Sequence, residues 1–221
     1  MYLRDRVIIL KKEPFREQDR RYVMYGREHG LLVAVARGAS VPRSKQAGHS
    51  EPLCEVEVMI AKGAAFDKLA VSRMLWAPDF FSSKGGLAGV AICGAFADLV
   101  IRLTRPGIAD DRIFDLLREA IVLFSSLPEA PTPDRARLLH ASLMLRLLDL
   151  VGFSPDVEEG ERGHIVSLLK FMRFAPLADL LRVTTTRDIL NEASAFVEES
   201  LKSAPLHEEP HGIRTIQAFL R

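Results

Sequence analysis

Arg37, Arg43 and Lys45 stand together in the stretch Arg37–Pro52, which reads Arg-Gly-Ala-Ser-Val-Pro-Arg-Ser-Lys-Gln-Ala-Gly-His-Ser-Glu-Pro and has no acidic residue until Glu51. Gly38, Pro42 and Gly48 disfavour regular structure there, so backbone amides and cations stay available to an anion. That is the chemistry of phosphate binding. The same composition also suits an ordinary solvated loop. The stretch joins a β-like run, Leu31–Ala36, to an alternating one, Leu53–Ile60. A connection of this length between strands in a compact domain is often functional.

Arg16, Arg20, Arg21 and Arg27 make a second cationic group, which across a barrel surface would lie beside the loop cations. The competing reading is a solvated face interrupted by Glu17, Asp19 and Glu28. Aromatics are sparse in the β-rich part: Tyr2, Phe15, Tyr22, Tyr25, Phe66 and Trp76. A single-strand binder that stacks bases needs several exposed platforms. Core packing is the better reading for each ring, which leaves binding to phosphate contacts that are indifferent to sequence.

No catalytic constellation forms. His207-Glu208-Glu209-Pro210-His211 matches the letters of a zinc-protease helix. Pro210, however, breaks the continuous turn that would bring both imidazoles to one metal. A polar turn is the better reading. There is no nucleophile elbow, phosphate-binding Walker loop, dinucleotide fingerprint or Cys-x-x-Cys pair, and His29, His49, His140 and His164 are scattered. The chain is expected to be no enzyme and to carry no cofactor.

The elements that must position these residues change period along the chain. Five short runs, Arg6–Lys12, Arg21–Arg27, Leu31–Ala36, Leu53–Ile60 and Phe66–Trp76, predict strands. In the fourth, Cys54, Val56, Val58 and Ile60 share one face and Glu55 and Glu57 the other. Five strands with turn signals between them suit a small OB-type barrel or a compact sandwich. Beyond Ala77-Pro78 the period becomes helical. Helices are predicted at Gly85–Leu103, Asp110–Leu127, Pro133–Val151, Gly163–Arg182 and Arg187–Ser203. Pro133–Val151 is apolar on most sides and should be central to a bundle. The face of Arg214–Arg221 carrying Ile216 and Leu220 should dock on its own domain or on a partner, with its own domain the better reading. The reading is α+β: a barrel domain over 1–79 and an all-α domain over 80–221.

Composition bounds the rest. Of 221 residues, 48% are hydrophobic and 27% charged, which suits a folded chain with a sizeable core. The net charge of +1 hides an asymmetry, because residues 1–79 hold 14 Lys/Arg against 10 Asp/Glu while residues 80–221 hold 16 against 19. The first part suits a polyanion and the second a protein. The apolar stretch from Gly85 meets Asp98 too early to span a bilayer, so no membrane is expected. Arg4, Asp5 and Arg6 give the start no secretory pattern. Cys54 and Cys93 read as buried thiols of a reducing cytoplasm.

Several segments resemble the RecO family of bacterial recombination mediators. They are Glu17-Gln18-Asp19-Arg20, Tyr25–Leu32 (Tyr-Gly-Arg-Glu-His-Gly-Leu-Leu), Ala36-Arg37-Gly38-Ala39 with Ser44-Lys45, Glu51-Pro52 with the strand Glu55–Ile60, and Leu147–Asp156 with its Gly-Phe-Ser-Pro core. The resemblance implies an OB fold followed by a helical domain. It also implies binding of single- and double-stranded DNA, annealing of complementary strands, and loading of the recombinase onto DNA coated by single-strand-binding protein, with RecR as partner and a place on the cytoplasmic nucleoid. Motif match carries Arg37 and Lys45 over as phosphate contacts, and Arg43 joins them from its place in the loop. Gly30 and Gly38 should hold unusual dihedrals or close approaches. Many members carry zinc-binding cysteine pairs after the Gly-Phe-x-Pro segment. Here Val157–Gly163 has none, so no metal is expected. The competing function is a protein-interaction adaptor whose helical domain does the work, with little affinity for nucleic acid. An uncharacterised hydrolase ranks third.

Overall fold

The computed structural model describes residues 1–40, 50–82, 86–156 and 163–206. The chain divides into two compact units, one made of Met1–Pro78 with Thr104–Arg118, the other of Asp79–Leu103 with Glu119–Arg221.

The first unit is a closed barrel of β1 (Tyr2–Phe15), β2 (Asp19–Gly26), β3 (Gly30–Ala36), β4 (Glu55–Ala61) and β5 (Lys68–Trp76), ordered β1-β2-β3-β5-β4. β1 is long enough to serve two neighbours. Tyr2–Ile8 pairs with β4 and Val7–Phe15 with β2, and a register shift between Ile9 and Lys11 bends the strand between them. Every pairing is antiparallel except β3 with β5, where Val35 faces Lys68 in parallel. Alternation fills the interior with Val7, Ile9, Tyr22, Met24, Leu32, Ala34, Val56, Val58, Ile60 and Leu69.

One outward residue departs from the simple alternation. Glu57 is exposed as expected, but Glu55 is only 1% exposed. The Arg6 Nε donates to its Oε1, and the Arg118 Nε donates to its Oε2 at 3.0 Å. A buried carboxylate is tolerable only when paired in this way.

Thr104–Arg118 joins the barrel at the β2–β3 turn. Pro106 bridges Gly30 and Leu31. The buried Tyr25 Oη donates to the Asp110 carbonyl and accepts from the Asp110 amide, both at 3.2 Å. Burial pushes the Tyr25 phenol above its ordinary pKa.

The second unit contains α1 (Gly86–Leu103), the later part of α2 (Asp111–Ser125), α3 (Pro133–Leu150), α4 (Gly163–Phe174), the single turn α5 (Leu177–Leu180) and α6 (Arg187–Ser203). Thr132 caps α3, accepting from the Arg135 amide, and Pro133 occupies a first-turn position. Leu138, Leu139, Leu143, Leu145, Leu147 and Leu148 are all buried, and α3 packs against α1, α4 and α6, as its apolar girth predicts.

The helix predicted over Gly163–Arg182 ends instead at Phe174. Pro176 has no amide hydrogen and disfavours a helical Ala175, so the chain turns and restarts as α5. The exposed carbonyls are met from α3: Ser142 Oγ and Arg146 Nε donate to Met172 O, and Arg146 Nη2 donates to Ala175 O.

α1 also differs from expectation. With only Asp98 and Arg102 charged among its 18 residues, it is long and apolar enough to cross a bilayer, yet 56% of it is buried inside the structure. The interior of its own unit accounts for that character. Cys54 and Cys93 are both buried and unpaired.

Candidate nucleic-acid interface

The barrel has two ends, and the sequence treats them differently. At the end formed by the β2–β3 turn, the buried Asp5 carboxylate accepts from the backbone amides of Arg6 at 2.7 Å and His29 at 3.0 Å. It also accepts from the Glu28 amide at 3.2 Å, and His29 Nδ1 lies 3.0 Å away. Gly30 sits there at φ 65°, where a Cβ would stand 2.2 Å from the Ile108 carbonyl oxygen. Only glycine allows the chain at Ile108 to approach so closely. Arg27 belongs to this end. Its guanidinium forms a bidentate pair with Asp115 at 2.8 and 3.1 Å and lies 5.4 Å from the Phe114 ring centre. The unit's own chain covers this end.

The opposite end carries Arg16, Arg20 and Arg37. Arg20 is the second residue of β2 and pairs with Ala36, the last residue of β3, so that Arg37 follows at the same end of the barrel. Gly38 follows at φ 63°, and its amide donates to Asp19 Oδ1 at 2.9 Å. The Ser40 amide donates to the Gln18 carbonyl at 3.0 Å. The loop therefore leaves the barrel pinned to the β1–β2 turn. It returns through Leu53, whose amide donates to the Ile9 carbonyl at 2.7 Å, and through the Lys12–Glu51 pair at 2.6 Å. Arg43 and Lys45 fall in 41–49, outside the described residues.

The β4–β5 connection reaches the same end, since the Val35 amide donates to the Asp67 carbonyl at 2.9 Å. Lys68 stands opposite Val35, and Lys62 pairs with Asp67 at 2.6 Å. Phe66, just before Asp67, meets Phe15 edge to face, with ring centres 5.7 Å apart. Arg16 completes the group, its guanidinium carbon 5.3 Å from the Phe15 centre and 5.4 Å from the Phe66 centre. Among the described residues, no carboxylate forms an ion pair with Arg16, Arg20 or Arg37.

Of the five predicted phosphate contacts, the structure places Arg20 and Arg37 at this end of the barrel. It leaves Arg27 beyond the other end of β2, about 20 Å away at ~3.3 Å per residue. Sequence reasoning missed Lys68 and the Phe15–Phe66–Arg16 group. Phe15 and Phe66 are 51 positions apart in sequence, and their meeting depends on how β1 and β5 enter the ring. The two turn glycines do hold left-handed dihedrals. Among the described residues no three His, Cys, Asp or Glu side chains gather as a metal site, and 157–162, 207–211 and Arg214–Arg221 lie outside them.

A five-stranded closed barrel in this strand order, followed by helices, places the chain among α+β proteins built on an OB fold. It belongs to the RecO family. The family model for the recombination protein O N-terminal domain matches residues 1–75, and that for the C-terminal domain matches residues 86–164. The chain is 27% identical over 171 residues to the DNA repair protein RecO of Dehalococcoides mccartyi, covering 77% of this chain and 64% of that protein. It is 30% identical over 150 residues to the protein of the same name from Acaryochloris marina, covering 68% and 49% respectively. For Anaeromyxobacter dehalogenans the identity is 28% over 157 residues, covering 69% and 62%. The chain thus spans between about half and two thirds of the length of these curated relatives.

Proposed function

We propose that this chain is a DNA repair protein of RecO type that holds single- and double-stranded DNA by its phosphates at the Arg16–Arg20–Arg37 end of the barrel. One observation carries the reading. The unit's own chain covers one end of the barrel, while the other carries Arg16, Arg20 and Arg37, with which no described carboxylate forms an ion pair, around a loop whose start is pinned at Asp19 and Gln18. Arg43 and Lys45 are proposed to extend that surface. Arg27 is not, because Asp115 already holds it. Phosphate contacts are blind to sequence and leave base edges open. That suits annealing of complementary strands, and loading of the recombinase onto DNA coated by single-strand-binding protein. No step in this role asks for a cofactor or a catalytic group from this chain.

The partners RecR and single-strand-binding protein are assigned to the helical unit. α4 supports this, since it turns Phe171 and Phe174 outward, the latter 76% exposed. The same face supports the adaptor reading. A pull-down with nuclease treatment separates the two, because a partner released by nuclease is bridged by DNA. The proposed place of action is the cytoplasmic nucleoid.

The test is fluorescence polarisation of a labelled single strand, titrated between low and near-physiological salt. Removing one phosphate-binding cation should reduce the log–log salt slope by about 0.7 for single strands. Arg20→Ala with Arg37→Ala should therefore flatten it by about 1.4 and weaken binding to every sequence alike. An unchanged slope would show that the anion sits elsewhere.

A further inference from the structure

We infer that Phe15, Phe66 and Arg16 form a stacking subsite for one unpaired nucleobase. The inference rests on the DNA-binding reading of this barrel end and adds to it a contact with a base rather than a phosphate.

Three observations carry it. The two rings meet edge to face, 5.7 Å between centres, and join the β1–β2 turn to the β4–β5 connection. Between the loops so joined an OB barrel admits a strand of nucleic acid. Arg16 lies against both rings at 5.3 and 5.4 Å, within cation–π range, and its residue is exposed. A guanidinium held from below by aromatic faces is ordered in advance and offers its planar outer side, on which a base stacks. Arg16 also has φ 57°, a left-handed conformation that is unfavourable for any residue with a Cβ. Glycine would avoid that cost, but it has no side chain to lie against the rings.

The alternative is a small structural staple between two loops. The subsite differs from it in what it recognises. A base inside a duplex cannot present its face, so stacking favours single strands, whereas Arg20 and Arg37 act on either form. One pinned base leaves the others free to pair, which is compatible with annealing.

The experiment compares Arg16→Lys and Phe66→Leu with the unaltered protein on three probes: an oligothymidylate, an abasic oligomer of the same length, and a duplex. Arg16→Lys keeps the charge and removes the plane. Phe66→Leu keeps apolar volume and removes the ring. Both should weaken oligothymidylate binding by about tenfold, the scale of one stacked base, and leave the abasic strand and the duplex unchanged. Matching melting temperatures confirm that the fold is intact. Equal losses on all three probes, or no loss on any, would overturn the subsite while leaving the phosphate reading in place. Failure of the unaltered protein to bind any probe would overturn both.

Discussion

The Gly38 amide donates to the Asp19 carboxylate at 2.9 Å, which ties the residue after Arg37 to the one before Arg20. A carboxylate among cations would ordinarily oppose DNA binding, so under the proposed function this one should act in two opposite ways. Asp19→Asn keeps an acceptor and removes the charge, and Asp19→Ala removes both. One hydrogen bond is worth about 1 kcal/mol, so the Ala variant should bind single strands about fivefold more weakly than the Asn variant. Polarisation titrations at one fixed salt concentration check this. Equal affinities would mean that Arg37 needs no such tie.

Arg27 should behave as part of the barrel rather than of the DNA surface. Its pair with Asp115 is partly exposed, at 39% and 54%, so solvent screens it. Arg27→Ala should cost about 1 kcal/mol of stability from the pair and the Phe114 contact together. The salt slope of DNA binding should not change. Denaturant melts and salt titrations of the same variant give both answers.

Two of the left-handed glycines, Gly30 and Gly38, separate conformation from space. At Gly38, φ is 63° and, among the described residues beyond its chain neighbours, no atom lies within 4 Å of an added Cβ, so Gly38→Ala should cost only the backbone term of about 1 kcal/mol. At Gly30 the same substitution also drives a methyl group to 2.2 Å from the Ile108 oxygen. Its cost should exceed that of Gly38→Ala by about 2 kcal/mol or more. Urea midpoints of the two variants, measured side by side, test the order.

Acid should weaken the protein through His140 on α3. Burial pushes this imidazole down from 6.5 to about 4. The folded state therefore favours the neutral ring, and the contribution is complete above pH 6.5, where both states are neutral. As pH falls towards about 4 the unfolded chain takes up a proton that the folded chain refuses, and stability declines. The loss levels off below that value at roughly 3 kcal/mol. His140→Gln cannot titrate, so its stability should fall less steeply between pH 6.5 and 4 in thermal melts across that range.

Local signals were the legible ones. Alternation in Val56, Val58 and Ile60 marked a strand with one buried face, and the leucines of α3 marked a central helix. Arg20 and Arg37 belonged to two separate cationic groups in the sequence, and it is the β2–β3 ladder that puts both at one end of the barrel. Residues whose partners lie far along the chain were not legible. Glu55 is buried by Arg118, 63 positions on, and Arg27 is taken by Asp115, 88 positions on. Nothing near either residue announces such a partner. Pro176 was a different kind of miss: the stop signal was present, and the apolar spacing of Leu177 and Leu180 masked it.

The parallel pairing of β3 with β5 has a mechanical consequence. Among the described residues the ring closes there through one matched pair, Val35 with Lys68, whereas every other junction is a ladder of seven or eight. The barrel is thus a rolled sheet with a seam rather than a uniform tube. Its girth can change at the seam while all four antiparallel ladders stay whole. Arg37 stands at one lip and Phe66 at the other, so the spacing between the proposed phosphate contact and the proposed base contact is set by the shortest of the described strand junctions.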